Sequence, residues 1–265
     1  MSRPSLRALA ALALLAGCTA PKATMPPAVW SAVSASIRVN AADKAIEFDA
    51  VAVLKTGFLE GYVCTVGTRE HESLFAFDGK SSEIHAALLL AGLAPGEPGR
   101  WRQVGHADGS FAVEAVPPSG TPVRIVVVLP DGTEHPPEHF VRLAPTGAAQ
   151  PDRRPPGSFV FAGSRFVTSR KTGVERYAAD ASGSLVGLVT FGDETIAATD
   201  VVPDQAAVAE PVWEAVPERM PEPGTRVRIR VLSDIPSGTA KDNRAKIKGP
   251  VETEPQTEPF RGQGK

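Results

Sequence analysis

Two histidines, a glutamate and a serine fall within one short stretch of the chain: His71, Glu72 and Ser73 together, then His85. Three uses are open to such a set. Imidazoles with a carboxylate from Glu72 or Glu83 can hold a zinc-like ion, which wants three or four such ligands. Ser73 can act as a nucleophile if a histidine serves as its base, a third group orients that base, and an oxyanion hole faces the serine. Or the same side chains satisfy buried backbone groups, for which histidine offers two ring nitrogens. The structural use asks for the least and is the favoured reading. If residues 71–77 are extended, His71, Ser73, Phe75 and Phe77 share one face and Glu72 points away, which argues against a joint His71–Glu72 site. A strand, turn and helix fold back on themselves, so His71 and His85 can approach each other. His-Glu-Ser-Leu is not the Gly-x-Ser-x-Gly elbow. The expectation is a non-enzymatic binding or scaffold module. Metal binding or hydrolysis through His71, Glu72, Ser73 and His85 is the alternative.

Other residues of reactive type carry less. His135-Pro-Pro-Glu138-His139 spaces two histidines as one helix face would, but two intervening prolines break a helix there. A turn leading into a short helix is expected. Gly92, Gly96 and Gly99 follow no strand and open no helix, so they make no phosphate loop. Cysteine occurs twice, as Cys18 and Cys64. That count excludes a cluster held by four thiolates, so no iron–sulfur cofactor is expected, while a bound metal stays open. Cys64 lies in apolar Gly61-Tyr62-Val63-Cys64 and reads as a buried, inert thiol.

The elements that must position these residues are mostly strands. Ile37-Arg38-Val39 and Ala45 to Leu54 flank a turn at Ala41-Ala42-Asp43. Phe58 to Val66 and Leu74 to Phe77 follow, the latter closed by Asp78-Gly79. One helix is expected over about 82–93, capped by Ser81, with Glu83 in its first turn. Ile84, Ala87, Leu88 and Ala91 form its apolar face, and Gly92 marks its stop. Strands resume at Phe111 to Val116 and Val123 to Leu129, before the turn Pro130-Asp131-Gly132. Later strands are Phe159 to Phe161, Gly173 to Tyr177, Leu185 to Phe191 and Arg226 to Leu232. The last alternates arginine with Val227, Ile229 and Val231, so one face is buried and one wet.

The N-terminus sets an address. Met1 to Arg7 carries two arginines, Ala8 to Ala16 is short and apolar, and Leu15-Ala16-Gly17-Cys18 follows. This is the pattern of a secretory signal peptide, too short to span a bilayer. Leu-Ala-Gly-Cys resembles the lipobox of bacterial lipoproteins. That resemblance implies cleavage before Cys18, its acylation, and a membrane as partner through the lipid anchor. With Thr19 rather than Asp next, it implies an extracytoplasmic position on the outer membrane. The chain has 265 residues and a formal net charge of -2, near -4 once residues 1–17 are removed. That balance is not basic enough to suggest nucleic acid, which draws its affinity from a dense Lys/Arg surface, so nucleic acid is not an expected partner. An envelope protein or a small-molecule ligand remains open.

Residues 58–93 carry a further resemblance. A strand, a short turn, His71-Glu-Ser-Leu74, and then a helix with His85-Ala-Ala-Leu88 and Gly92 resemble the YdjY-type domain family. Val126 to Asp131 and Tyr177-Ala-Ala-Asp180 before Gly183 are compatible with it. The resemblance implies an extracytoplasmic β-rich domain, without an established biochemical role. The expected fold is α+β, mostly β: a mixed or antiparallel sheet with one main helix packed on it, followed by a second β-rich portion. The expected divisions are a signal peptide 1–17, a tether 18–33, a unit 34–145, a linker or long loop 146–157, a β-rich portion 158–234 and a disordered tail 235–265.

Overall fold

The structure is a computed structural model that describes residues 29–106, 110–145, 154–168, 170–203 and 212–235. The expected signal peptide with Cys18, most of the 146–157 linker and nearly all of the expected tail lie outside these residues. In chain order the elements are β1 (Ser31–Ala32), β2 (Ile37–Asn40), β3 (Ala45–Ala52), β4 (Phe58–Leu59), β5 (Gly61–Thr65), β6 (Ser73–Phe77) and helix α1 (Ser81–Leu90). Next come β7 (Arg100–Gly105), β8 (Phe111–Val116), β9 (Thr121–Val128), β10 (Glu134–His135), β11 (Val141–Leu143), β12 (Phe159–Phe161), β13 (Phe166–Thr168) and β14 (Glu175–Tyr177). The chain ends through α2 (Ala178–Ser182), β15 (Ser184–Gly187), β16 (Ile196–Ala198), β17 (Trp213–Ala215) and β18 (Arg226–Ser233).

Eight of these strands close a ring in the order β3-β18-β9-β12-β16-β15-β5-β6, with β6 pairing back onto β3. The sheet is mixed: β5–β6 and β15–β16 are parallel and the other ring pairs antiparallel. Closure leaves no bare edge on the ring. Its inside is lined by alternate apolar residues, among them Phe48, Phe75, Ile125, Phe159, Leu185 and Ile229. On β18, Val227, Ile229 and Val231 are buried while the arginines face out, as their alternation predicts. Those arginines work outside: Arg230 binds Glu47 at 2.8 Å and Glu134 at 2.7 Å, and Arg38 and Arg228 also flank Glu47.

The expected second β-rich portion is therefore not a separate follow-on. β18 inserts between β3 and β9, and β15 pairs with β5. Local periodicity reports whether a segment is a strand. Which distant strand it pairs with is a non-local fact, and the barrel is made of such facts. The expected strand 58–66 divides at Glu60, with β4 leaving the ring to join β17 and β11 in a small sheet. Order also begins before Ile37, because β1 pairs with β2 inside the expected tether. A two-residue strand has no period to read.

Register distinguishes two ends of the barrel. Asn40 faces Ala45, Ala45 faces Leu232, and Ser233 faces Val123. Phe161 faces Thr121. β6 runs toward the start of β3, and Thr65 faces Phe77, so β5 and β6 finish at the same end. The chain arrives there too, since Ser31 pairs with Val39. This end is the near mouth. Helix α1 lies across it, touching β2 and β3 on one side and reaching Phe161 of β12 through His85.

Local chemistry explains α1. Ile84, Ala87, Leu88 and Ala91 are buried, as their spacing predicts. Gly92 takes φ +81°, and the Leu93 N–H reaches the Leu88 carbonyl at 3.1 Å, a left-handed stop that glycine suits. The start corrects the expectation. Ser81 is the first helical residue, and its hydroxyl is buried without a partner. The cap instead comes from Glu83, which accepts the Lys80 N–H at 3.2 Å, and from Asp180, which accepts the Ser82 N–H at 2.8 Å. Two ribbons, β7–β8 and β13–β14, stand apart from the ring as separate two-stranded sheets.

Candidate functional site

The four residues singled out by type and spacing do not converge on one site. Residues 70–72 form a 3-10 turn rather than the start of an extended strand, so the expected alternation begins only at Ser73. His71 sits on that turn at the far end of β6. Its side chain is 76% exposed, and its Nε2 lies 3.5 Å from Glu72. The turn thus brings together two residues that an extended strand would have separated. Glu72 also binds Arg69 at 2.7 Å. Ser73 is sealed: it faces Gly61, where a Cβ would stand 2.4 Å from its Oγ, and that hydroxyl has no hydrogen-bond partner. No imidazole reaches it to act as a base. His85 belongs to the opposite mouth, five strand residues and a turn away. Among the described residues, no three His, Cys, Asp or Glu side chains converge as a metal set would require.

His85 does have a defined environment. Its ring meets Phe161 at 4.9 Å and Tyr177 at 5.4 Å between centroids, both edge-on. Its Nδ1 lies 2.9 Å from the Tyr177 hydroxyl. That hydroxyl donates its one proton to the Gly163 carbonyl at 3.0 Å and also meets Thr195 Oγ1 at 3.0 Å. With the tyrosine proton so used, His85 donates from Nδ1 and keeps its lone pair on Nε2. Burial holds the His85 pKa below its ordinary value and pushes Tyr177 up to about 12. The backbone bends to meet them, with Gly163 at φ +85° and Ser164 at φ +54°. Ser164 secures the second of these by donating to the Asp193 carbonyl at 2.6 Å and accepting the Ala179 N–H at 3.2 Å. Asp180 completes the join through Ser82 Oγ at 2.7 Å.

Three further groups have chemistry of their own. Glu194 is wholly buried, accepts the Gly192 N–H at 3.2 Å and the Phe191 N–H on Oε1, and has no partner for Oε2. Burial raises its pKa to about 7. Cys64 is free and buried, and burial pushes its thiol up, which fits an inert side chain. His135 and His139 stack at 4.0 Å and both contact Phe140, from a strand and a 3-10 turn rather than one helix. Burial, then the nearby His135 and Arg219, lower the His139 pKa. Sequence patterning misses Thr195 and Glu194, which lie between short elements. Tyr177 and Asp180 belong to the family resemblance, but nothing local ties them to His85.

An open groove of about 780 Å³ crosses β3, β18 and β9. It is lined by Asp49, Asp78, Arg226 and Arg228 beside apolar Val128 and Leu129. Such a surface can hold a ligand of mixed polarity.

Comparisons with known proteins agree with this architecture at one level. Searches of curated proteins and of solved structures found no match. The YdjY domain matches residues 37–232, from the first residue of β2 to the penultimate residue of β18, so it takes in the whole barrel, α1 and the His85–Tyr177 join. Well over half of the sequence is covered, and the chain belongs to the YdjY domain family.

Proposed function

We propose that this protein is a membrane-tethered, extracytoplasmic binding or scaffold module without catalytic activity of its own. The observation that carries the non-enzymatic part is the commitment of His85. Its Nδ1 is spent on Tyr177, its ring is wedged against Phe161 and Tyr177, and Ser73 lies beyond its reach. The groove across β3, β18 and β9 is the candidate binding surface, with Arg226 and Asp78 as its charged determinants. The tether rests on the signal-like N-terminus ending at Cys18.

Two measurements test the proposal. Elemental analysis of the purified chain should give no stoichiometric metal, and His71→Ala and His85→Ala should not change that. Metal at one per chain, lost in both variants, would overturn the reading, as would ester turnover abolished by Ser73→Ala. Mass spectrometry of protein from the native host should show an acylated Cys18 at the new N-terminus. An unmodified Cys18 would remove the tether.

A further inference from the structure

We infer that the near mouth of the barrel is a lipid-facing surface that seats the domain on an anionic membrane. Twelve large hydrophobic side chains are exposed among the described residues, and ten of them lie on segments that begin, end or are rooted at this mouth, the ribbons joining it where Thr121 bonds Ala94 and where Phe166 pairs with Tyr177. Only Val33 and Phe58 lie elsewhere. A random scatter of surface apolar groups needs no explanation, but a one-sided one does. The helix contributes Leu89 and Leu90, 47% and 61% exposed. The β13–β14 ribbon contributes Phe166 at 63%, with Val167 and Val174. The β7–β8 ribbon contributes Trp101 and Val113, and Trp is a side chain suited to the headgroup level. Val66, with Val29 and Ile235 at the two ends of the described residues, completes the set.

Charge selects the occupant. The β13–β14 ribbon exposes Arg165, Arg170, Lys171 and Arg176 against a single acid, Glu175. A second copy docked through the same face would set these cations against their own counterparts, since a two-fold interface uses one patch twice. Anionic headgroups complement them instead, and each cation near the surface adds to the attraction. Chain length agrees. Val29 enters at this mouth eleven residues after Cys18, a span of at most about 40 Å when fully extended. An acylated Cys18 would therefore hold the near mouth, not the far one, against the bilayer. That last point rests on the tether proposed above; the apolar and cationic surface does not.

The experiment keeps the two apart. The chain from residue 18 with Cys18→Ser carries neither the apolar leader nor an acyl chain, and it is mixed with vesicles of phosphatidylethanolamine and phosphatidylglycerol that contain a brominated-chain lipid. Binding should be seen by co-sedimentation, weaken with salt, and disappear on phosphatidylcholine vesicles. Tryptophan fluorescence should be quenched by the brominated chains, and Trp101→Ala in a Trp30→Phe background should remove that quenching. Phe166→Asp with Val167→Asp should weaken binding by at least about tenfold, as expected for losing two apolar side chains. Phe58→Asp, at the far mouth, should not. Melting temperatures of all variants verify that they are folded. Equal binding by the Phe166/Val167 and Phe58 variants would overturn the inference. So would self-association abolished by the Phe166/Val167 pair, which would assign the face to a second copy. No binding to anionic vesicles overturns it even if Cys18 proves to be acylated in the host.

Discussion

The Tyr177 hydroxyl touches an imidazole, a backbone carbonyl and a threonine at once, and it has only one proton to give. Removing it leaves the Gly163 carbonyl and His85 Nδ1 without their partner inside a buried join. Tyr177→Phe is therefore expected to cost about 1–3 kcal/mol in urea unfolding, the usual penalty for orphaned buried groups. His85→Ala should cost a similar amount without altering metal content. A ligand role for His85 predicts the opposite pattern, small stability change and large change in bound ion. Titration gives a second test. The Glu194 pKa of about 7 lies above the ordinary carboxylate value of 4.5, so the folded state holds that proton more tightly. The stability it confers is complete below about pH 4.5 and is lost as pH rises through 7. His85 acts in the other direction: its depressed pKa confers stability above pH 6.5 that is lost as pH falls. Glu194→Gln should flatten the decline in melting temperature between about pH 5 and 8. Each tenfold change in proton affinity is worth about 1.4 kcal/mol, so the flattening should be easily measured.

Elements hold these residues in place through their ends. The first turn of α1 is capped by Asp180 from α2, ninety-eight positions away in sequence. Asp180→Ala should fray that turn at a cost of about 1 kcal/mol. The loss should appear as faster amide exchange at Ser82 and Glu83, and not at Leu88. Sequence patterning is informative for α1 because helical spacing and a terminal glycine are local: the buried face and the stop at Gly92 fall where the spacing predicts. It is equally informative for the alternation in β18. It fails at the cap because Ser81 is the nearest hydroxyl, whereas the actual acceptor comes from another element. It fails at His71 because a 3-10 turn breaks the two-residue period just before Ser73. An approach of His71 to His85 requires strand, turn and helix to close like a hairpin. In the structure β6 runs the length of the barrel wall between them, so neighbours in sequence are separated in space.

At the scale of the whole molecule, one interior serves residues from both halves of the chain. Phe48 and Phe75 pack with Phe159 and Ile229 in a single core. A fragment ending at residue 157 would lack β12, β15, β16 and β18, half of the ring. Such a fragment is expected to show no cooperative thermal transition by circular dichroism, whereas a fragment through 235 should melt as one unit. The position of β18 has a further consequence for biogenesis. The last of the eight ring strands to emerge from the ribosome is the one that joins β3 to β9, two strands made long before. Until it arrives, both wait with unsatisfied amides facing outward, open to any passing extended peptide. Closure by such distant pairings is intrinsically slow. A nascent copy should therefore depend on holdase chaperones until β18 has emerged, and premature termination before it should yield aggregates rather than a smaller functional product.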